Sequence, residues 1–193
     1  MSEWREGLQR LDIEHRHMLQ GGALSSLFLR YPLNVANPAF VGGFYGILIG
    51  LALLPLSASF GDLTSWPSQT TSIIALTGVL GVCSLLFSMI LKRPPIRLEN
   101  RRRYLFPFPF VGLLLLGFGK FYELGVIVEN LALALLVLPG PLYIHISYAP
   151  RWRILSRMQR NLDPFQGMKF TIYEEGGGGD PVDSELDEAV SEA

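Results

Sequence analysis

Residues 39–60 read AFVGGFYGILIGLALLPLSASF, 22 consecutive positions without a charge. At 1.5 Å per residue this run makes about 33 Å of helix, enough to cross the roughly 30 Å hydrocarbon core of a bilayer. A second run at 69–91, QTTSIIALTGVLGVCSLLFSMIL, supplies 23 more uncharged positions. The chain has 193 residues, 49% hydrophobic and 17% charged, with a mean hydropathy of +0.32. A soluble domain carries about 25% charged residues, so composition and run length together place the chain in a membrane.

Two further runs are less regular. Positions 104–119 give 16 residues between Arg103 and Lys120, about 24 Å of helix. They span if the two basic side chains snorkel in opposite directions and Tyr104 and Tyr122 stand at headgroup depth. Pro107 and Pro109 lie near the start of this run, where a missing backbone donor costs least. Positions 124–148 are long enough but contain Pro139, Gly140 and Pro141, so a kinked crossing is expected there, the alternative being a helix that stops at Leu138. Ahead of the first span, Pro32, Asn34, Asn37 and Pro38 read as turns that deliver the chain into the helix.

Charge asymmetry sets the topology. Basic residues fall at Arg5, Arg10, Arg16 and Arg30, at six positions between Lys92 and Arg103, and at five between Arg151 and Lys169; the two remaining connections hold only Lys120. Fifteen of sixteen therefore lie on one side of a four-span arrangement, which the positive-inside rule places in the cytoplasm with both termini. The expected fold is an all-α integral membrane protein of the cell membrane. Its four spans (39–60, 69–91, 104–119, 124–148) form two antiparallel hairpins joined by short external turns. Trp66, Phe121 and Tyr122 are expected at the outer interface and Tyr104, Tyr148 and Trp152 at the inner one.

The chain then divides into a cytoplasmic segment (1–30), the four-span domain (31–148), a basic juxtamembrane segment (149–173) and a tail (174–193). Trp4, Leu8, Leu11, His15 and Met18 recur at helical spacing, predicting an amphipathic helix over 2–19 with Ser2 as N-cap. Such a helix lies on the inner leaflet or docks on its own bundle or a partner. From Glu174 the chain carries eight acidic residues, no basic one, and four consecutive glycines, a composition that predicts disorder. No cleavable signal peptide is expected, because 1–19 mixes charges of both signs.

Gly42, Gly46 and Gly50 repeat every four residues in the first span and form a ridge where another helix can approach closely. Arg97, Arg101, Arg102, Arg103, Arg151 and Arg153 are the candidates for contact with anionic headgroups. Glu129 is the one carboxylate well inside a span, where a charge costs about 2.5–3.5 kcal/mol. It is the candidate proton or ion site, with Asn130 beside it and Thr77, Ser84 or Ser88 as possible partners across helices. His15 and His17 lie on different helix faces and make no metal site; Cys83 is read as a packing residue, and His145 as interfacial. No HExxH, GxSxG or phosphate-cradling glycine loop is present, and the near-neutral charge speaks against nucleic acid.

The expectation is a non-catalytic membrane subunit, assembly factor or scaffold without cofactor or metal. It would work through helix packing, anionic lipid and a protein partner or second copy. The alternatives are a small transporter or proton-coupled channel using Glu129, and a lipid-acting enzyme if His145 and the arginines converge on one headgroup.

Overall fold

The structure is a computed structural model that describes residues 3–11, 13–20, 28, 30–96 and 105–168. Ser2, Arg97, Arg101, Arg102, Arg103, Tyr104 and the tail 174–193 lie outside the described residues. Among the described residues six helical elements follow in order: α1 (Glu3–Arg10), α2 (Ile13–Gln20), α3 (Pro38–Ser59), α4 (Trp66–Leu91), α5 (Pro107–Phe121) and α6 (Val126–Gln159). No strand occurs among the described residues. Three helices, α3, α4 and α6, are long and apolar enough to cross a membrane; α5 is a shorter apolar helix of 15 residues.

The sequence explains where α3 starts. Asn37 accepts the Phe40 N–H at 2.8 Å, and Pro38 occupies the first helical turn, where its missing donor is not needed. Down its length α3 packs on α4 through the glycine ridge. A methyl at Gly42 would overlap the Thr77 carbonyl, one at Gly46 would lie 2.7 Å from Ile74 Cα, and one at Gly50 would run into the Thr70 side chain. The approach is reciprocal, since a methyl at Gly81 of α4 would lie 2.9 Å from Ala39 Cα. The ridge thus serves the first hairpin internally. In the second hairpin Gly112 of α5 does the same, facing the Ala132 carbonyl and the Leu136 N–H of α6, each 2.7 Å from where a Cβ would stand.

The hairpin turns lie at one end of the molecule. Gly61 (φ 74°) follows α3, and Glu123 (φ 52°) and Gly125 (φ 88°) join α5 to α6. Lys120 at the end of α5 pairs with Asp62 of the other turn at 3.0 Å. Between the hairpins, a core of Ile49, Leu53, Leu116, Ala132 and Leu136 fills the centre. Outside it, large apolar side chains such as Leu51, Val79, Ile90, Leu114 and Leu131 are exposed, a perimeter that suits lipid rather than water.

The last span is longer than the sequence run implied. Leu142 N–H donates to the Leu138 carbonyl at 3.1 Å and Leu138 N–H to Ala134 at 2.9 Å, so the helix passes through Pro139–Pro141 without stopping. It passes through a π-helical turn at Ile144–Tyr148 and runs on to Gln159. Its 34 residues make about 51 Å, well beyond a bilayer core. At the N-terminus the expected single helix is two, α1 and α2. The Arg16 guanidinium bridges the break, donating to the carbonyls of Gln9 (2.6 Å) and Leu11 (3.2 Å). Leu8, Leu11 and Leu19 pack on Leu33, Ile154, Leu155 and Met158, so the apolar residues of these helices meet the bundle's own end.

Candidate functional site at the basic end

Proline chemistry builds this end of the molecule. Pro150 has no N–H to return to the Ile146 carbonyl, and that carbonyl instead accepts the Ile96 N–H from the connection after α4, at 3.4 Å. Pro94 and Pro95 prevent α4 from continuing. It ends with Lys92 in the left-handed conformation (φ 48°, ψ 33°), a position more often held by glycine.

Arg153 meets two carbonyls at and just beyond that helix end. Its guanidinium donates to the Ser88 carbonyl and, at 3.2 Å, to the Arg93 carbonyl. The positive charge thereby stands at the negative pole of the α4 dipole. Arg153 is only 6% exposed and Arg151 only 2%. Both were expected to hold lipid headgroups; in the fold Arg153 ties α6 to α4, and Arg151 ties α6 to α2 through the Met18 carbonyl at 3.2 Å.

Two aromatic residues behave similarly. The Tyr148 hydroxyl donates to the Ala36 carbonyl at 2.7 Å, and the Trp152 indole to the Leu33 carbonyl at 2.8 Å. Both seize the turn that leads into α3. Tyr148 is 1% exposed, so it is a core residue and not part of an interfacial belt. Trp66, expected at the opposite interface, donates its indole N–H to Gly50 at 2.8 Å. Phe121 and Tyr122 remain exposed.

Exposed at this end are Arg30, Lys92, Arg93 and Arg160 together with the carboxylate of Asp163, while Arg157 is half-buried. Arg157 closes the end of α6 by donating to the Asp163 carbonyl (2.8 Å) and to Gln166 Oε1 (2.6 Å). Among the described residues no carboxylate pairs with Lys92, Arg93, Arg153 or Arg157. The end is therefore a cross-tied cap with a basic surface.

A seam between α4 and α6 leads from this cap into the apolar zone. The Phe87 ring meets His145 edge-on at 5.9 Å between centroids. One turn of α6 further in, the helices part around a groove of about 290 Å³, walled by Leu76 and Leu80 of α4 and by Leu133, Ala134, Val137 and Pro141 of α6.

Glu129 is placed elsewhere. It is half-buried in the first turn of α6, where the positive end of the helix dipole favours a carboxylate. Asn130 beside it is exposed. The hydroxyls of Thr77 and Ser84 donate back to Ile73 and Leu80 on their own helix, and Ser88 Oγ is buried without a partner; none of the three joins Glu129. No group of three His, Cys, Asp or Glu side chains with metal-binding geometry occurs among the described residues.

Reading the sequence alone missed the roles of Arg153 and Tyr45. The Tyr45 hydroxyl crosses to the Leu136 carbonyl of α6 at 2.8 Å, and its ring fills the space left by Gly140. The available signals were Gly140, which opens a slot between two prolines for the Tyr45 ring, and the absence of a glycine at the end of α4. No protein-family model, curated protein or solved structure matches the chain.

Proposed function

We propose that this protein is a non-catalytic membrane subunit or scaffold: four spans, both termini in the cytoplasm, and a rigid basic cap at the cytoplasmic face that presents partners to the membrane. The observation that carries the reading is the cap itself. Side-chain donors from α6 take backbone carbonyls of three other segments: Tyr148 and Trp152 those of Ala36 and Leu33 in the turn before α3, Arg151 that of Met18 in α2, and Arg153 that of Ser88 in α4. Ties of that kind hold a shape. Lys92, Arg93 and Arg160 on its surface suit anionic headgroups, and the acidic segment 174–193 gives a second, oppositely charged contact region.

Affinity capture of the full chain in mild detergent, with and without residues 174–193, tests this. A reproducible companion set that depends on the cap or the tail supports it. Purified protein that carries protons or ions across vesicles by itself, and loses that flux in Glu129→Gln, overturns it in favour of a transporter.

A further inference from the structure

We infer that the seam between α4 and α6 is a binding site for one anionic phospholipid, its phosphate held at Lys92 and Arg93 and an acyl chain seated in the groove at Leu80 and Ala134. The inference needs only that the chain lies in a bilayer; it does not depend on the scaffold reading.

Three observations choose this occupant. First, the depths match. Leu80 precedes Lys92 by 12 residues on one helix, about 18 Å of axial distance, while one leaflet of hydrocarbon is about 15 Å deep. A headgroup level with Lys92, whose ammonium lies beside Gly167, therefore has its chain end at the depth of the groove. Second, the walls of the groove are leucine, valine, alanine and proline side chains, so a chain loses no polar contact by entering. Third, a second helix is poorly suited to the place. Close helix approach needs small residues, and Gly42, Gly46, Gly50, Gly81 and Gly112 are all used inside the two hairpins; the groove offers only Ala134. The sign of the headgroup follows from Lys92 and Arg93, which are exposed and without a carboxylate partner among the described residues.

The test uses the full chain in phosphatidylcholine vesicles carrying a trace of lipid with a photoreactive diazirine near the end of one acyl chain, on either a phosphatidylglycerol or a phosphatidylcholine head. Expected labelling falls on residues 76–80 and 133–141. The phosphatidylglycerol probe should label these at least about fivefold more, the factor that a single lysine or arginine near a negative surface supplies. Ala134→Phe, which fills the groove from an exposed position, should abolish that labelling. Lys92→Gln with Arg93→Gln should keep the position of the label and remove the headgroup preference. Labels spread evenly over exposed residues such as Leu51 and Leu114, whatever the headgroup, would reduce the groove to ordinary bilayer contact and overturn the site. So would a groove protected from both probes in a cross-linked dimer, which would make a second copy the occupant.

Discussion

The Tyr45 hydroxyl donates to the Leu136 carbonyl at 2.8 Å while its ring lies where a side chain on residue 140 would have to go. One residue of the first hairpin thus reads both the carbonyl and the missing side chain of the second. Pro139 and Pro141 remove two backbone donors from the same stretch of α6, so a donor from a neighbour is worth more here than elsewhere in the helix.

Tyr45→Phe should destabilise the folded protein by about 1 kcal/mol, the scale of one interhelical hydrogen bond in a membrane. Gly140→Ala should cost more, because its methyl meets the ring carbons of Tyr45, and Tyr45→Ala in the same chain should recover part of the loss. Unfolding in mild detergent of the unaltered chain, Tyr45→Ala, Gly140→Ala and the double variant, compared as a double-mutant cycle, measures the coupling. Strict additivity would mean that the contact does not join the hairpins.

Within the glycine ridge, neighbouring positions should behave oppositely. Gly46→Ala should destabilise by about 1–3 kcal/mol through overpacking on Ile74 and Thr77. Gly43→Ala meets nothing closer than Ile74 Cγ2 at 3.9 Å, and should be neutral or slightly stabilising through helix propensity. Thermal midpoints of the two variants in one detergent decide it; equal losses would refute the packing assigned to the ridge.

Removing the buried guanidinium of Arg153 should be the most damaging single change at the basic end. Arg153→Met removes the charged donor from the Arg93 carbonyl and from the Ser88 carbonyl, which keeps the Lys92 N–H, and should cost about 3 kcal/mol, since charged hydrogen bonds contribute about 1.5–3 kcal/mol each. Exposed Arg160→Gln should stay within about 0.5 kcal/mol. Protease resistance of residues 92–96 and 149–159 reports the difference; indistinguishable variants would contradict the capping role.

The proposed orientation predicts opposite reactivities in a Cys83→Ser background. A cysteine at Asp62 should react with a membrane-impermeant maleimide on intact cells, and one at Arg97 should react only after permeabilisation. The reverse pattern would invert the molecule, and two ends facing opposite compartments would remove the fourth crossing.

What could be read from the residues alone was whatever depends on length and composition. The first two spans start and end within a few residues of their uncharged runs, because lipid punishes a charge inside either run and Asp62 falls in the turn between them. The glycine ridge was visible as a pattern, although which helix it met required the hairpin to close. Arg151 and Arg153 could not be told from headgroup-binding arginines, since their partners are carbonyls at positions 18, 88 and 93 and a carbonyl has no sequence signature. The passage of α6 through Pro139–Pro141 was equally hidden, because a neighbour's hydroxyl, on the Leu136 carbonyl, supports the same turn of the helix.

The allocation of glycines has a consequence for biogenesis. Every close backbone approach described above joins α3 to α4 or α5 to α6, so each helical pair can mature as soon as its own two segments have left the insertion machinery. The Ile96–Ile146 and Tyr45–Leu136 bonds span 50 and 91 positions and must await the last segment. Nascent chains arrested shortly after residue 96 should therefore already hold a protease-resistant first pair. Resistance that appears only in the completed chain would show that the two pairs mature together.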